Sequence, residues 1–303
     1  MLNKAVRESG MFDKQKELVL DVFIEVTEAG YVLTDNRKGY LNPEKVLVSV
    51  ENAMKSQNNF VDLTEMDCYE DLEYTDEMQA TIELWKKVDT FQNSCNVVYD
   101  MGDKQIPVDA SVACHFIKLN EDNTFMQDED GELVFDKEGV SEFINYLASQ
   151  YDTYGVVREF TTASGEVKEI KGGTYGSTLN QKAELTYLPK SFQDGTGEVH
   201  IPAYTRSTSI RGKNDIGDTY VEVDMTNQKM YFFKDGELKL ETSVVTGNMA
   251  RKNDTPEGIN YVYAKQKNRI LRGRGYASFV NYWMPVKGGI GIHDATWRDE
   301  FGG

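Results

Sequence analysis

The sequence predicts an α+β amino-terminal region followed by a mainly β carboxy-terminal domain of the sandwich or barrel-like kind. Two observations lead to this prediction. Before about residue 200, stretches with apolar residues at helical spacing alternate with short apolar runs. After residue 218, short alternating runs are separated by polar turns, which is typical of antiparallel strands. With 303 residues and 40% hydrophobic content, the chain is long enough for about two globular domains.

Residues 1–95 are predicted to form a partial α+β unit. The alternating apolar residues of segment 14–27 fit a strand buried on one side or a short helix, and the high β-branched content favours the strand. Asn42 and Thr75 each precede a stretch with apolar residues at helical spacing, and both side chains are typical helix caps. The helix after Asn42 is expected to bury one apolar face, formed by Val46, Leu47, Val50 and Met54. Pro43 fits the first position of the helix after Asn42, because that position needs no main-chain N–H. The unit therefore combines a strand with capped helices.

Residues 96–204 are predicted to form a second α+β domain. Short apolar runs within residues 96–109 predict strands, and helical spacing predicts a helix over residues 136–150. Two further strands flank a turn at residues 163–165. The acidic stretch 120–132 lacks the ligand spacing of a calcium-binding loop. The sequence therefore predicts a solvated hairpin or loop there, without a dedicated ion site.

The segment 205–217 is rich in Ser, Thr, Arg, Lys and Gly, and it is predicted to be a linker between domains. Over residues 218–303 the pattern changes to nearly pure β. Runs around Tyr220, Met230 and Leu238 alternate between apolar and polar residues, with polar turns between them. A hairpin meander of this kind makes a sandwich or a small barrel.

His293 offers the most versatile side chain of this β region. It stands at the end of an alternating run, in V-K-G-G-I-G-I-H-D-A-T-W. An imidazole takes up or releases a proton near neutral pH, and small neighbouring residues leave room beside it for a substrate. The alternative is a histidine with a purely structural role, which the residue type alone does not exclude.

Several segments of the β region resemble L,D-transpeptidase catalytic domains of the YkuD type, in that family's order. They are V-E-V-D-M-T-N-Q-K-M-Y-F-F-K-D-G-E, Val244 to Asn248, Asp254 to Ile259, and G-I-G-I-H-D-A-x-W. Further upstream, Y-D-T-Y-G, R-E-F-T-T-A-S-G and K-G-G-T-Y-G are similar to the peptidoglycan-binding domain that precedes many such catalytic domains. Residues 1–95 are then expected to be the remainder of a preceding copy of that domain.

The resemblance implies a cysteine acyltransferase of peptidoglycan synthesis, with a part in cell-wall biogenesis and cell shape. A thiolate attacks the third residue of one peptidoglycan stem, and the amine of a second stem completes a 3→3 cross-link. His293 is assigned the role of general base, because a thiol must lose its proton before it reacts. Asp294 is a candidate for orienting the imidazole. Carbapenem β-lactams are expected inhibitors, and no cofactor or metal is implied.

The groove for the stem peptide also has candidate residues near His293. They are Gly289, Gly291, Tyr276, Trp283 and Trp297. For the aromatic residues the alternative is core packing, and for the glycines it is relief of strain at a bend. In the preceding domain, Tyr154 and Tyr175 stand beside turns, where such side chains either pack or stack on sugar rings.

In the family, a Ser-His-Gly-Cys motif with the nucleophile follows the histidine segment, and these 303 residues do not contain it. We therefore expect a catalytic domain cut short before its nucleophile, and an inactive 303-residue polypeptide. Cys68, Cys95 and Cys114 lack the motif's context and are expected to be buried, small apolar residues. The alternative function is a non-catalytic cell-wall-binding protein with a degenerate transpeptidase domain.

A formal net charge of −17 argues against nucleic-acid binding, which needs clustered Lys and Arg. The charge suits an amine-bearing substrate, although solubility alone explains it equally well. The sequence has no apolar run long enough for a membrane span and no signal-peptide core at its start. The resemblance nevertheless implies an extracytoplasmic protein of the cell wall, and a membrane anchor is expected only in a longer gene product.

Overall fold

The computed structural model describes residues 1–16, 20–248, 253–273 and 275–302. Its residues divide into two compact units. The first unit consists of Met1–Val97, Val108–Val140 and Pro189–Glu198, and the second consists of Val98–Pro107, Ser141–Leu188 and Val199–Gly303.

The helices of the described residues lie before residue 195. They are α1 (Leu2–Arg7), α2 (Pro43–Lys55), α3 (Asp76–Gln92), α4 (Ala110–Ala113), α5 (Lys137–Tyr151) and α6 (Gln181–Asp194).

The strands of the described residues range in length from two residues in β7 and β8 to twelve in β14. They are β1 (Val22–Thr27), β2 (Gly30–Asp35), β3 (Val98–Asp100), β4 (Gln105–Pro107), β5 (Arg158–Thr161), β6 (Val167–Ile170), β7 (Thr178–Leu179), β8 (Val199–His200), β9 (Tyr204–Arg206), β10 (Tyr220–Asp224), β11 (Lys229–Lys234), β12 (Glu237–Ser243), β13 (Gln266–Gly273), β14 (Tyr276–Lys287) and β15 (Ile290–His293).

The predicted helix caps are confirmed. The Asn42 side chain accepts hydrogen bonds from the main-chain N–H groups of Glu44 and Lys45, both at 2.9 Å. The Thr75 hydroxyl accepts from the main chain of Met78 at 3.2 Å. Each cap satisfies N–H groups that have no partner inside the helix, which is why these helices begin where they do.

Two details of the amino-terminal prediction are wrong. The strand expected from residue 14 begins only at Val22, and Lys14–Lys16 form a short 3-10 turn, while Leu18 and Val19 lie outside the described residues. Met54, expected on the buried face of α2, is exposed. Helical periodicity predicts which face of a helix is apolar. It does not predict how far along the helix that face is buried, because this depends on where the neighbouring elements end.

The first unit is held together by apolar packing of its helices and loops. Val6 and Phe12 pack with Val46 of α2 and with Cys68, all of them buried. A second cluster consists of aromatic rings whose centroids lie 5.3–6.1 Å from their neighbours: Phe91, Phe116, Phe135 and Phe192. The expected acidic loop is held by Lys87, whose ammonium group donates to the Gly131 carbonyl at 2.6 Å.

In the second unit, the smaller sheets lie in the region before residue 207. Strand β3 pairs antiparallel with β4 and parallel with β8, and β5 and β6 form the predicted hairpin around residues 163–165. Buried side chains from β3 and the helices fill this part of the core: Tyr99, Ile144, Leu147 and Leu188.

The carboxy-terminal part of the second unit is built from two antiparallel sheets of three strands each, β10–β11–β12 and β13–β14–β15. Neither sheet closes on itself within the described residues. The prediction of a β-rich carboxy-terminal domain is confirmed, and so is the meander of β10, β11 and β12. Polar turns and the alternation of apolar and polar residues are local signals, so the strands can be predicted from them without the tertiary structure.

The segment between β9 and β10, predicted to be a linker, is anchored in the second unit by a buried ion pair. The Asp215 carboxylate, with 0% side-chain exposure, accepts from Arg158 at 2.8 Å. It also accepts from the Thr153 hydroxyl at 2.6 Å, while the Tyr175 hydroxyl donates to the Asp215 carbonyl at 2.5 Å. One buried carboxylate therefore connects this segment to β5 and to the loops beside it.

Glycine makes a close main-chain crossing possible in this unit. Gly173 pairs with Ile259 in a parallel bridge, and the Ile259 main chain donates to Gly172 at 3.1 Å. A Cβ atom on Gly173, whose φ is +97°, would lie 1.9 Å from the Ile259 oxygen. The glycines of K-G-G-T-Y-G thus bring this loop against the loop that precedes β13.

Candidate active site

His293 is positioned by the hairpin of β14 and β15. Gly288, in the left-handed region with φ of +55°, lies in the turn between the strands, and His293 is paired with Trp283 at the far end of β15. Gly291 faces the β14 main chain so closely that a Cβ atom would lie 2.5 Å from the Met284 oxygen. That close approach is why a glycine is required at this point of β15.

One hydrogen bond determines the tautomer of the His293 imidazole. Its Nδ1 lies 2.8 Å from the main-chain carbonyl oxygen of Asp294. A carbonyl only accepts hydrogen bonds, so Nδ1 carries the proton of the neutral ring. The Nε2 atom then presents its lone pair, and it has no protein partner in the part of the chain described. The ring is therefore set to accept a proton at Nε2.

The Asp294 carboxylate contacts the neighbouring strand and not the imidazole. It accepts from the main-chain N–H of Tyr282 at 2.7 Å, from that of Asn281 at 3.1 Å and from the Asn281 side chain at 2.8 Å. Partial burial raises the pKa of this carboxyl, but the Tyr282 and Asn281 donors outweigh burial and leave the pKa below its usual value. Asp294 therefore ties the end of β15 to β14.

Two tryptophans complete a set that we call the His293 cluster, comprising His293, Asp294, Trp283 and Trp297. The ring centroids of Trp283 and Trp297 each lie 5.9 Å from that of His293. Trp283 is 8% exposed and Trp297 is 53% exposed. The buried ring supports the imidazole, and the exposed one offers a surface to a ligand beside it.

Of the candidates predicted from the sequence, the structure brings Trp283, Trp297, Asp294 and His293 together but leaves Tyr276 apart. Tyr276 pairs with Gly273 at the opposite end of β14. It lies seven positions along the strand from Trp283, a distance of roughly 23 Å. Gly289 has no atom within 4 Å of where its Cβ would lie, so it borders open space.

Asn281 is a residue that sequence reasoning missed. Its side chain and main chain both donate to the Asp294 carboxylate, and so it holds the end of the strand that carries His293. An asparagine inside an alternating apolar run is the signal in the sequence, because such a residue is disfavoured in strands. The partner itself is not visible from that signal, since the two residues meet only through the pairing of β14 with β15.

The three cysteines are structural thiols of the first unit, with exposures of 0% for Cys68, 1% for Cys95 and 3% for Cys114. Burial raises the pKa of the Cys95 and Cys114 thiols, so the reactive thiolate is disfavoured. The Cys114 thiol donates to the Ser111 carbonyl at 3.3 Å. Within the described residues, no group of three or more His, Cys, Asp or Glu side chains is placed to hold a metal ion.

Comparison with known proteins matches two segments of the chain to protein families. Residues 218–303 match the family of L,D-transpeptidase catalytic domains, and residues 115–200 match a family described as a peptidoglycan binding domain. The fold and the site therefore define a class of protein, an acyltransferase catalytic domain preceded by a peptidoglycan-binding domain. The chain belongs to the L,D-transpeptidase family.

Solved structures show the same relationship. A Cys-to-Ser mutant of L,D-transpeptidase from Enterococcus faecium is 29% identical, with 73% of this chain and 86% of that chain covered and a TM-score of 0.59. The Ldtfm-avibactam carbamoyl enzyme is also 29% identical, with coverages of 73% and 84% and a TM-score of 0.59. The ertapenem-acylated catalytic domain from E. faecium L,D-transpeptidase is 45% identical over 29% of this chain and 70% of that domain, with a TM-score of 0.26. Among curated proteins, none matches this chain.

Proposed function

We propose that this chain is the wall-binding and base-bearing part of an L,D-transpeptidase that forms 3→3 cross-links through a cysteine acyl-enzyme. The observation that carries the proposal is the His293 tautomer, because the hydrogen bond from Nδ1 to the Asp294 carbonyl leaves Nε2 free to accept a proton. Residues 96–204 form the peptidoglycan-binding domain, 205–217 the connection, and 218–303 the base-bearing part of the catalytic domain.

The proposed reaction has two steps, acylation of the cysteine and transfer of the acyl group to a second stem. His293 Nε2 takes the thiol proton, and the thiolate attacks the carbonyl carbon of the third stem residue. The C–N bond to the terminal D-alanine breaks, the imidazolium returns the proton to the leaving amine, and a thioester remains. The side-chain amine of a second stem then attacks the thioester carbon and loses a proton to His293. The C–S bond breaks, the imidazolium returns that proton to the departing thiolate, and the new amide is the 3→3 cross-link.

The nucleophile in this proposal is a cysteine of a Ser-His-Gly-Cys segment beyond residue 303. Cys68, Cys95 and Cys114 are poor candidates, because they are buried and, for Cys95 and Cys114, burial raises the thiol pKa. The 303-residue polypeptide is therefore expected to be inactive by itself.

Around the His293 cluster, the proposed stem groove uses the exposed ring of Trp297 and the open space beside Gly289. Trp283 and Gly291 act indirectly, since the first is buried under the imidazole and the second lets β15 approach β14. Tyr276, at the opposite end of β14, has no place in this groove.

Two further parts of the proposal rest on the family. In this proposal the complete enzyme is acylated by carbapenems, and the avibactam carbamoyl enzyme and the ertapenem-acylated domain of similar proteins support it. It works at the cell wall, which the match to a peptidoglycan-binding family supports. In the described residues, no helix combines the length and the apolar character needed to span a bilayer.

The test compares the 303-residue chain with the same chain extended by the Ser-His-Gly-Cys segment. Donor-stem turnover and the mass of the acyl-enzyme are measured for both, with and without a carbapenem. We expect activity and an acyl adduct only in the extended chain. Activity of the 303-residue chain would refute the position of the nucleophile. An extended chain that binds wall fragments without turnover would favour a non-catalytic wall-binding protein.

A further inference from the structure

A polar groove lies beside the catalytic sheet, and none of the residues assigned above to the reaction lines it. It is lined by residues 174–176, residues 205–209 and Tyr261, all of them in the second unit, and it encloses about 440 Å³. That volume is within the usual range of small-ligand sites. We call it the Tyr261 groove.

Hydroxyl groups dominate one wall of the Tyr261 groove. The Thr205 and Thr208 hydroxyls donate to main-chain carbonyls, at 3.2 Å and 2.6 Å, and their oxygens still have lone pairs for a ligand. Ser207 and Ser209 are exposed, and their hydroxyls have no protein partner among the described residues. This wall therefore offers both donors and acceptors at closely spaced points.

Arg206 supplies a rigid cation to the same wall. One of its terminal N–H groups donates to the Thr174 carbonyl at 2.8 Å, and its guanidinium lies 4.0 Å from the centroid of the Tyr154 ring. These two contacts hold the side chain in place without using all five of its N–H donors. The remaining donors are available to a carbonyl oxygen of a ligand.

Tyr261 supplies an aromatic face. It is 47% exposed on the rim of the groove. The two tyrosines that the sequence suggests for sugar stacking are engaged elsewhere, since Arg206 covers Tyr154 and the Tyr175 hydroxyl donates to Asp215. Tyr175 also lines the groove but is less exposed, so Tyr261 is the exposed aromatic ring that this groove presents.

We propose that the Tyr261 groove binds the glycan strand of peptidoglycan, with the apolar face of an N-acetylated amino sugar on Tyr261 and an acetamido carbonyl on Arg206. The proposal rests on the function proposed above. Sugar hydroxyls match the hydroxyl-rich wall, because each is both donor and acceptor. A net charge of −17 disfavours a polyanionic wall polymer and favours a neutral glycan.

The position of the groove suits delivery of the stem to His293. The Thr174 hydroxyl lies 3.4 Å from the Val286 carbonyl oxygen, so the groove borders the end of β14. Val286 is three strand residues from Trp283, the partner of His293, which corresponds to about 10 Å. Three extended stem residues also span about 10 Å. A glycan in the groove thus lets the third stem residue reach the imidazole.

The experiment measures binding of peptide-free peptidoglycan glycan strands to the 303-residue chain by titration calorimetry. Replacing Tyr261 by Ala should weaken binding about tenfold, as expected for loss of one aromatic contact. Tyr261→Phe keeps the ring and should retain most of the affinity, whereas Ser209→Trp should block the groove. Tyr146→Ala is the matched control, since Tyr146 is an exposed tyrosine of the same unit outside the groove. Thermal unfolding of every variant excludes misfolding as the cause.

The groove assignment fails if Tyr261→Ala and Ser209→Trp bind as well as the unaltered chain, if no glycan binds, or if a teichoic-acid polyanion binds in preference. Turnover by the extended chain separates this proposal from the function proposed above. Glycan binding that depends on Tyr261 in an extended chain without turnover would uphold the groove and refute the transpeptidase. Turnover together with glycan binding that does not depend on Tyr261 would support the transpeptidase and refute the groove.

Discussion

The imidazole of His293 is oriented by the main-chain carbonyl of Asp294, 2.8 Å from Nδ1, and the Asp294 side chain points its charge at β14 instead. A main-chain acceptor cannot be removed by a side-chain substitution. The orientation of the imidazole therefore depends on the path of the chain after β15, which the Asp294 carboxylate stabilises through its contacts with Asn281 and Tyr282.

Replacing His293 by Gln in the extended enzyme should lower kcat by roughly 10²–10⁴-fold, the usual effect of losing a positioned base. The KM for the donor stem should change far less, because the imidazole acts mainly in the transition state. Steady-state kinetics with a donor stem peptide test this. His115→Gln, an exposed histidine of the first unit, is the control, and an unaltered kcat in His293→Gln would remove the catalytic assignment.

Asp294→Asn should make the stability of the second unit less sensitive to low pH. The pKa of the Asp294 carboxyl is lowered in the folded state. Its contribution to stability is therefore fully present above about pH 4, the pKa of an aspartate in the unfolded chain. The contribution is lost as the pH falls through the folded-state pKa. Thermal unfolding of both proteins between pH 6 and pH 2.5 should show a steeper loss for the unaltered chain. Asp299→Asn is the reference variant. If the stability of Asp294→Asn falls with pH as steeply as that of the unaltered chain, the contacts assigned to Asp294 are wrong.

Arg158→Met should destabilise the second unit by about 3–5 kcal/mol, because it leaves the Asp215 carboxylate buried without its cation. Adding Asp215→Leu should recover part of that loss, since the stranded charge is then gone. Urea unfolding of the single and double variants measures both effects. Lys168→Met, which breaks an exposed pair with Glu166, should change stability little. Additive losses in the double variant would mean that the two side chains are not coupled.

Gly173→Ala should destabilise the chain more than Gly172→Ala. Both glycines have positive φ, which costs an alanine about 1–2 kcal/mol. Only at Gly173 would the new Cβ atom overlap the Ile259 oxygen, whereas nothing lies within 4 Å at Gly172. The two variants are compared by their free energies of unfolding in urea. The difference between them measures the cost of the clash between the new Cβ atom and the Ile259 main chain. Equal destabilisation would show that Ile259 moves aside without cost.

The three cysteines should resist alkylation in the folded chain. They are buried, and burial raises the thiol pKa of Cys95 and Cys114, so little thiolate is available. Mass spectrometry after iodoacetamide treatment should show labelling only once urea unfolds the protein. Rapid labelling of any one of them under native conditions would reopen the question of the nucleophile.

Much of the fold could be predicted from the sequence because its signals are local. Asn42 and Thr75 cap helices through hydrogen bonds to residues two or three positions away, and the β10–β11–β12 meander follows from alternation and polar turns. The strand start at Val22 and the exposure of Met54 escaped prediction, because both depend on neighbouring elements and not on the segment's own pattern.

By itself, the sequence determined the family and the class of fold and gave His293 as the candidate base, since these rest on residue types in a fixed order. Only the tertiary structure decided which atom of Asp294 faces the imidazole, that Tyr276 lies at the wrong end of β14, and that Asp215 is buried against Arg158. Strand register and burial join residues far apart in the chain. Asp215 and Arg158 are 57 positions apart, and no pattern in the polar segment 205–217 encodes a partner at that distance.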